Sequence, residues 1–595
     1  MTDAATFDDR PTPRVEWPAV LLFFFAAIVA HVPHLVFARV DSNLDFLVHY
    51  RWSMEMVEAW GVGDFYPRWM AYANGGLGEP ALLFYSPLYY WATALVRQIV
   101  SNTFTAMQIV EIFASFWLGL FVAKTVSIWA TPRLGRIAGL SAIIAPMTLL
   151  LHHGFNGFPW AVAMAPAAML IYAVMRPKAP SLWVNPLATI SIALLVITHT
   201  VTALLALMVV SFHVFGAVSR SQMDRPNRLT IGPLAINPRP WVAWLCAVVL
   251  GLGLSGFYLI PAMGSLDMIS AGVWTNKYVP WDAFAFSTFS WAANGMRWFA
   301  FQWPIPVALL LLVVGAAIAL SRSKPADRGA GDHAFSPAIA LIAMALAALF
   351  FASELSYPLW LFDTPLRKVQ FPFRFMTLLT PIALILAAYA WVRLAPKREH
   401  LGLVIVALPI ALHAAMGIAI LSKNALMDGT PLASREDQLI PYKGLGEYLP
   451  PESGWRDYRD SGGWQGECAR QRLSCSPRRR IKSGWELAFT SPTQQPIILP
   501  FFAFPALEVA MNGETVPLTK DRQSGLIRLE APQGAQSVSI SWAGVALERL
   551  APWISLFSFF LLLLAMISIR MVISPKKPVE TGGQGGMIDN VRKTV

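Results

Sequence analysis

Apolar residues run through this chain in long blocks, near 18–38, 105–130, 137–151, 158–175, 182–198, 200–219, 240–262, 303–321, 335–353, 372–392, 400–422 and 551–573. Most approach the ~20 residues a helix needs to cross a bilayer, so the pattern predicts about twelve spans. The stretch ALLFYSPLYYWATALVRQIV at 81–100 is also apolar, but Pro87 and three tyrosines mark it as an interfacial or re-entrant helix. Period-two alternation appears only late. FPALEVAMNGETVPL carries an Asn-Gly hairpin signal between alternating strands, and LIRLEAPQGAQSVSISW continues the pattern. The expected fold is therefore mainly α, a polytopic helical membrane protein with a small β-domain before the last span.

Composition agrees. The 595 residues are 56% hydrophobic and 14% charged, against about 25% charged in soluble chains. The net charge of +11 is scattered through short loops rather than massed, which argues for topology determinants and against nucleic acid. If 81–100 does not cross, the loops TPRLGR, RPKAPS, SRSQMDRPNRLTIGPLAINPRP, SRSKPADRG and RLAPKREH and the SPKKP tail share one side, each with at least two Lys or Arg. The opposite loops, at 152–157 and around His199, hold none. This places both termini in the cytoplasm.

The resulting organisation is a cytoplasmic tail at 1–17, a multi-span domain at 18–422 with an outer loop at 39–104, a periplasmic β-rich domain at 423–550, a final helix at 551–573 and a tail at 574–595. The first residues, MTDAATFDDRPTPRVEW, lack a basic n-region, so the first apolar block is expected to be a retained anchor. Cys468 and Cys475 fall in the β-rich segment, where a disulfide and two free thiols are both open.

The candidate chemistry begins at DSNLDFLVHYRW, residues 41–52. Asp41, Asp45 and His49 are spaced i, i+4, i+8 and share one face of a helix that Gly61 ends. Ser42 to Asp45 also reads as a capping box, and acids in a first turn complement the helix dipole, so a cap and a reaction centre are both open. His152, His153 and Asn156 read as a short outer loop, with His199 at another outer turn. No fixed ligand spacing is present there, and a metal is left unknown. The aromatic stretch 274–304 suits either sugar stacking or an interfacial belt.

Several motifs together carry a resemblance. They are Asp45 with His49, the PRW at 67–69, Gly75-Gly76-Leu77-Gly78-Glu79-Pro80, FYSPLYY at 84–90, Thr198-His199, Phe257-Tyr258 with Pro261, and QFPFRF at 370–375. They resemble the bacterial and archaeal polytopic family labelled "6-pyruvoyl-tetrahydropterin synthase-related membrane protein", over most of 20–400. No residue here suggests pterin chemistry. The same architecture resembles the GT-C integral-membrane glycosyltransferases, which typically take a polyprenyl-phosphate-linked sugar as donor.

That resemblance implies an inverting transfer at the outer face of the bacterial inner membrane, from a polyprenyl-phosphate sugar donor to a glycan, lipid or protein acceptor. By it Asp45 is the expected base, with Asp41 a second carboxylate or a ligand for a divalent metal at Asp41/Asp45, and His49 either orienting the base or contacting the donor. Arg374 is the expected phosphate contact, and Arg68, His199, Gln370 and Asn156 complete the substrate side; snorkelling at the interface is the competing role for both arginines. Two other classes remain: a transporter or flippase of a lipid-linked glycan, and a non-catalytic envelope-assembly scaffold with the same fold. Transport calls for ionisable groups within the membrane and for repeat symmetry, whereas the polar groups read here sit at span ends.

Overall fold

The computed structural model describes residues 17–37, 44–176, 184–220, 229–231, 234–236, 239–272, 283–287, 299–322, 336–362, 364–394, 415, 442, 444–451 and 463–573. Asp41, almost all of the expected span at 400–422 and most of 274–304 lie outside them.

Apolar blocks become helices where a polar cap and a proline set the start. Thr131 Oγ1 accepts the Leu134 N–H at 3.3 Å just ahead of Pro132, and Asn185 Oδ1 accepts the Ala188 N–H at 3.3 Å ahead of Pro186. Among the described residues seven helices are long and apolar enough to cross: Trp17–Leu35, Thr103–Val126, Pro132–Phe155, Phe158–Met175, Pro304–Ser321, Pro372–Arg393 and Ala546–Ser568. The block at 240–262 forms instead a pair, Trp241–Leu254 and Gly256–Gly264, bent by 76°. Between them Ser255 bonds back to the Gly251 carbonyl at 3.0 Å, a contact that bends helices. Three further blocks give shorter apolar helices, Pro186–Thr198, Thr200–Gly216 and Pro337–Ala352. The chain is a multi-pass, mainly helical membrane protein, with fewer full-length spans among the described residues than the twelve expected.

Helices pack closely where side chains vanish. A Cβ at Gly139 would lie 2.5 Å from the Gly119 carbonyl oxygen, so the Thr103–Val126 and Pro132–Ile143 helices meet backbone to backbone, as small residues permit in membranes. The 81–100 stretch breaks at Tyr85-Ser86-Pro87 into Ala81–Phe84 and Leu88–Arg97, neither long enough to cross.

The β-domain is present as the alternation predicts. One sheet runs Ser474–Cys475, Gly484–Ser491, Gly534–Trp542, Leu507–Met511, Glu514–Val516, with Arg479–Ile481 also paired to Gly484–Ser491. The other runs Thr519–Lys520, Leu526–Ala531, Gln495–Phe502. Trp485, Leu487 and Phe489 on one strand, and Val538 and Ile540 on its neighbour, are buried on the inner face. Asn512 and Gly513 both take positive φ, 54° and 89°, in the two-residue hairpin turn between Met511 and Glu514. Cys468 and Cys475 are joined by a disulfide.

This domain docks onto the loop after the first span. The Phe502 N–H donates to the Leu77 carbonyl at 3.0 Å, and the Trp69 and Phe501 rings lie 5.1 Å apart. Gly78, at φ +85°, packs so tightly that a Cβ there would sit 2.2 Å from Trp69 Nε1. Glu79, fully buried, accepts from Trp52 Nε1 at 3.0 Å, Asn74 Nδ2 at 3.2 Å and the Leu445 N–H at 3.2 Å. One buried carboxyl group thereby ties its own loop to helix Leu44–Gly61 and to the segment at Leu445.

Candidate functional site

Helix Leu44–Gly61 opens the site. Asp45 lies in its first turn and is exposed. His49, one turn further on, is buried, with Nδ1 2.7 Å from the Tyr90 hydroxyl. Burial pushes the His49 imidazole down to about 3, so it is neutral at physiological pH and supplies no positive charge. Its ring faces Tyr85 at 5.6 Å, and Tyr85 in turn faces His199 at 6.3 Å.

His199 caps the Thr200–Val210 helix. The Thr202 N–H donates to its Nδ1 at 3.2 Å, so Nδ1 is the bare nitrogen and Nε2 carries the proton. Beside it the Trp160 ring stacks at 6.4 Å, and the Arg374 guanidinium lies over that same ring, 5.0 Å from its centroid. Arg374 is buried, and His49 and Arg374 both lie within electrostatic reach of His199. The Tyr85 phenol closes the circuit. Its pKa is raised first by burial and then by the Asp45 carboxylate, and is lowered by Arg374. His49, His199 and Arg374 therefore gather around Tyr85 and Trp160, with Asp45 in electrostatic reach of Tyr85, although the four come from three separate elements.

Gln370 explains how Arg374 is held. It adopts φ 69° and ψ −50°, and the Phe371 N–H donates to the Val369 carbonyl at 2.8 Å. This is a γ-turn of the strained, positive-φ kind. It presents the Val369 carbonyl to Arg374 Nη1 at 2.7 Å. Strain of this sort persists only where surrounding structure enforces it.

The remaining candidates sit elsewhere or serve differently. Arg68 Nε pairs with Glu548 Oε1 at 2.6 Å, and its guanidinium covers the Tyr66 ring at 3.4 Å. This guanidinium is matched by a carboxylate at the start of the last helix. Asn156 is buried, in left-handed conformation at φ 53°, where the π turn Leu150–Phe155 ends. His152 and His153 belong to that turn and are buried rather than in an outer loop. Asn156, in the left-handed cap position, ends the turn there. Both histidines face His31, His34 and Glu111 inside the helix bundle, so the polar groups are not confined to span ends.

Tyr85, Tyr90 and Trp160 line this cluster without being expected to, because aromatics at a membrane surface read as an interfacial belt. The FYSPLYY motif was the available signal. Its Ser86 hydroxyl bonds Thr200 Oγ1 at 2.9 Å, and Thr200 Oγ1 bonds the Tyr258 hydroxyl at 2.9 Å, so three of the motif regions meet there.

No family model matches the chain, and no curated protein matches it. Among solved structures, ArnT from Cupriavidus metallidurans bound to undecaprenyl phosphate is similar with a TM-score of 0.40 and 13% identity, over 69% of this chain and 78% of that one. The arabinofuranosyltransferase AftD from Mycobacteria is similar with a TM-score of 0.39 and 14% identity, over 76% of this chain and 29% of that one.

Proposed function

We propose that this protein is a GT-C-like membrane glycosyltransferase, moving a sugar from a polyprenyl-phosphate-linked donor to a cell-envelope acceptor on the outer face of the inner membrane. The observation that carries this reading is the gathering of His49, His199 and Arg374 around Tyr85 and Trp160, with Asp45 in electrostatic reach of Tyr85. The motif resemblance of residues 20–400 supports it, as do the basic loops that the positive-inside rule assigns to the cytoplasmic side.

In the reaction proposed, the acceptor hydroxyl attacks the anomeric carbon while Asp45 takes its proton. The bond from that carbon to the phosphate oxygen breaks, and its electron pair leaves with the polyprenyl phosphate. Arg374 receives the resulting negative charge. Neutral His49 orients the acceptor or the base, and His199, protonated on Nε2, donates a hydrogen bond to the sugar or phosphate. The exposure of Asp45 beside buried partners suits a base at the mouth of the site.

The phosphate half is tested by binding. A charge-assisted contact is worth about 1.5–3 kcal/mol, so Arg374→Ala is expected to weaken polyprenyl-phosphate binding roughly 10- to 100-fold. Arg374→Lys should recover part of that loss. Unchanged affinity in a folded Arg374→Ala protein removes this residue from the donor site.

Transport of a lipid-linked glycan is a second reading, favoured by the buried His31, His34, Glu111, His152 and His153 within the spans. It differs in outcome: the donor would cross the membrane with its sugar still attached.

A further inference from the structure

Glu111 and four histidines lie wholly inside the helix bundle, drawn from the first span, from Thr103–Val126 and from the Leu150–Phe155 turn. His152 Nδ1 is 2.7 Å from Glu111 Oε2, and Tyr89 OH donates to Glu111 Oε1 at 3.3 Å. Donor atoms of His31, His34 and Glu111 all lie within 4.8 Å of one another. The His34 and His153 rings are 4.3 Å apart, and those of His31 and His152 are 4.5 Å apart.

The hydrogen bonds fix where the protons are. His153 Nε2 lies 2.8 Å from the Ala30 carbonyl; a carbonyl only accepts, so this nitrogen carries the proton and Nδ1 is bare. His34 Nε2, 3.3 Å from that bare Nδ1, must then donate to it. A neutral His34 is left with a lone pair on Nδ1, facing Gln108 Oε1 at 3.1 Å, acceptor against acceptor. On the other side, His152 Nδ1 donates to Glu111, so its bare Nε2 takes the Ser115 hydroxyl proton at 3.4 Å. Ser115 Oγ then accepts from His31 Nε2 at 3.1 Å, leaving a lone pair on His31 Nδ1, which lies buried beside Gln108 with no hydrogen bond of normal geometry. An extra proton on His34 would satisfy Gln108 and still leave His31 Nδ1 bare. A metal ion satisfies both lone pairs at once.

We propose that His31, His34 and Glu111 bind a divalent transition-metal ion of the zinc class within the membrane-spanning bundle, with His152 and His153 lining the site. Imidazole nitrogens with a single carboxylate suit zinc, cobalt or nickel rather than calcium or magnesium, which take mostly oxygen. Zinc–nitrogen bonds of about 2.0–2.1 Å put tetrahedral donors about 3.3 Å apart, so the present 4.8 Å spread closes by small side-chain movements. Glu111 supplies the one negative charge, and His152, bonded to its second oxygen, orients it from outside. Its ligands include neither Asp41 nor Asp45, and it stands whether or not the protein transfers sugars.

The test is cobalt substitution in the full-length protein, purified in lipid nanodiscs and stripped with chelator. One equivalent of Co²⁺ should bind with the intense visible bands of a four- or five-coordinate site, and Zn²⁺ should displace it. His34→Gln and Glu111→Gln should each weaken binding at least 10-fold, while His213→Gln should not. No Co²⁺ uptake by the wild-type protein, or unchanged affinity in folded His34→Gln and Glu111→Gln proteins, overturns the proposal and leaves a proton on His34 as the charge. Should those variants not fold, X-ray absorption on the wild-type cobalt protein decides. At least two imidazoles in the shell support the site, and a shell of oxygen alone overturns it.

Discussion

Breaking the Arg68–Glu548 pair should loosen the junction between the outer loop and the last helix. Arg68 Nε lies 2.6 Å from Glu548 Oε1, with the two side chains 10% and 13% exposed. The second Glu548 oxygen accepts from Trp542 Nε1 at 3.0 Å and from the Val545 N–H at 2.8 Å. One carboxylate thus joins the loop, the end of the β-domain and the first turn of the closing helix. Removing one partner of a buried pair costs about 3–5 kcal/mol. Arg68→Met leaves Glu548 its two other donors, so the lower end, about 3 kcal/mol, is expected. The readout is hydrogen exchange at the Val545 amide, which reports local opening of that turn. A loss of about 3 kcal/mol corresponds to exchange roughly 100-fold faster. Arg68→Met with Glu548→Gln should cost less than the sum of the two single changes, because the pair is lost once. Unchanged Val545 exchange in Arg68→Met, or strict additivity, would refute the reasoning.

Stability should also fall as pH rises. Burial raises the Glu79 pKa from 4.5 to about 8, so the folded state holds a proton the unfolded chain has released. The contribution is whole below about 4.5 and is lost toward pH 8, with a slope of up to about 1.4 kcal/mol per pH unit. Burial raises Glu55 from 4.5 to about 7, and that group acts in the same direction. Thermal unfolding of wild type against Glu79→Gln checks this, the variant being flatter across the window; equal slopes contradict it. Gly78→Ala should destabilise by about 2–4 kcal/mol, combining a left-handed conformation with a clash against Trp69. A thermal midpoint equal to wild type would show that the turn relaxes freely.

Local signals were legible in the sequence and long-range ones were not. The Asn512-Gly513 hairpin follows from turn chemistry and period-two alternation alone, and it stands in the structure. The span expected at 158–175 appears as Phe158–Met175, because apolar length is a local property. The bend at Ser255 was invisible, since composition reports burial but not direction. His152 and His153 read as loop residues because their partners, Glu111 and His34, lie on other helices. Arg68 read as a phosphate contact or a snorkelling group because its carboxylate sits at the far end of the chain. For the candidate site, the spacing of Asp45 and His49 was readable, whereas Tyr85 and Trp160 acquire meaning only once folding brings His199 and Arg374 beside them.

Sugar transfer itself is the most direct measurement. The full-length protein in lipid nanodiscs is given a polyprenyl-phosphate-linked radiolabelled sugar and an envelope acceptor fraction, and release of free polyprenyl phosphate is followed. The account predicts release by the wild-type protein, and a fall of roughly 10²–10⁴-fold in Asp45→Asn, the usual contribution of a positioned base. Donor binding should be unchanged in that variant, because the proposed phosphate contact is Arg374 and not Asp45. A folded Asp45→Asn protein releasing polyprenyl phosphate at the wild-type rate would contradict the assignment of the base. A wild-type protein that binds donor and carries it across the bilayer with the sugar attached would contradict transfer altogether.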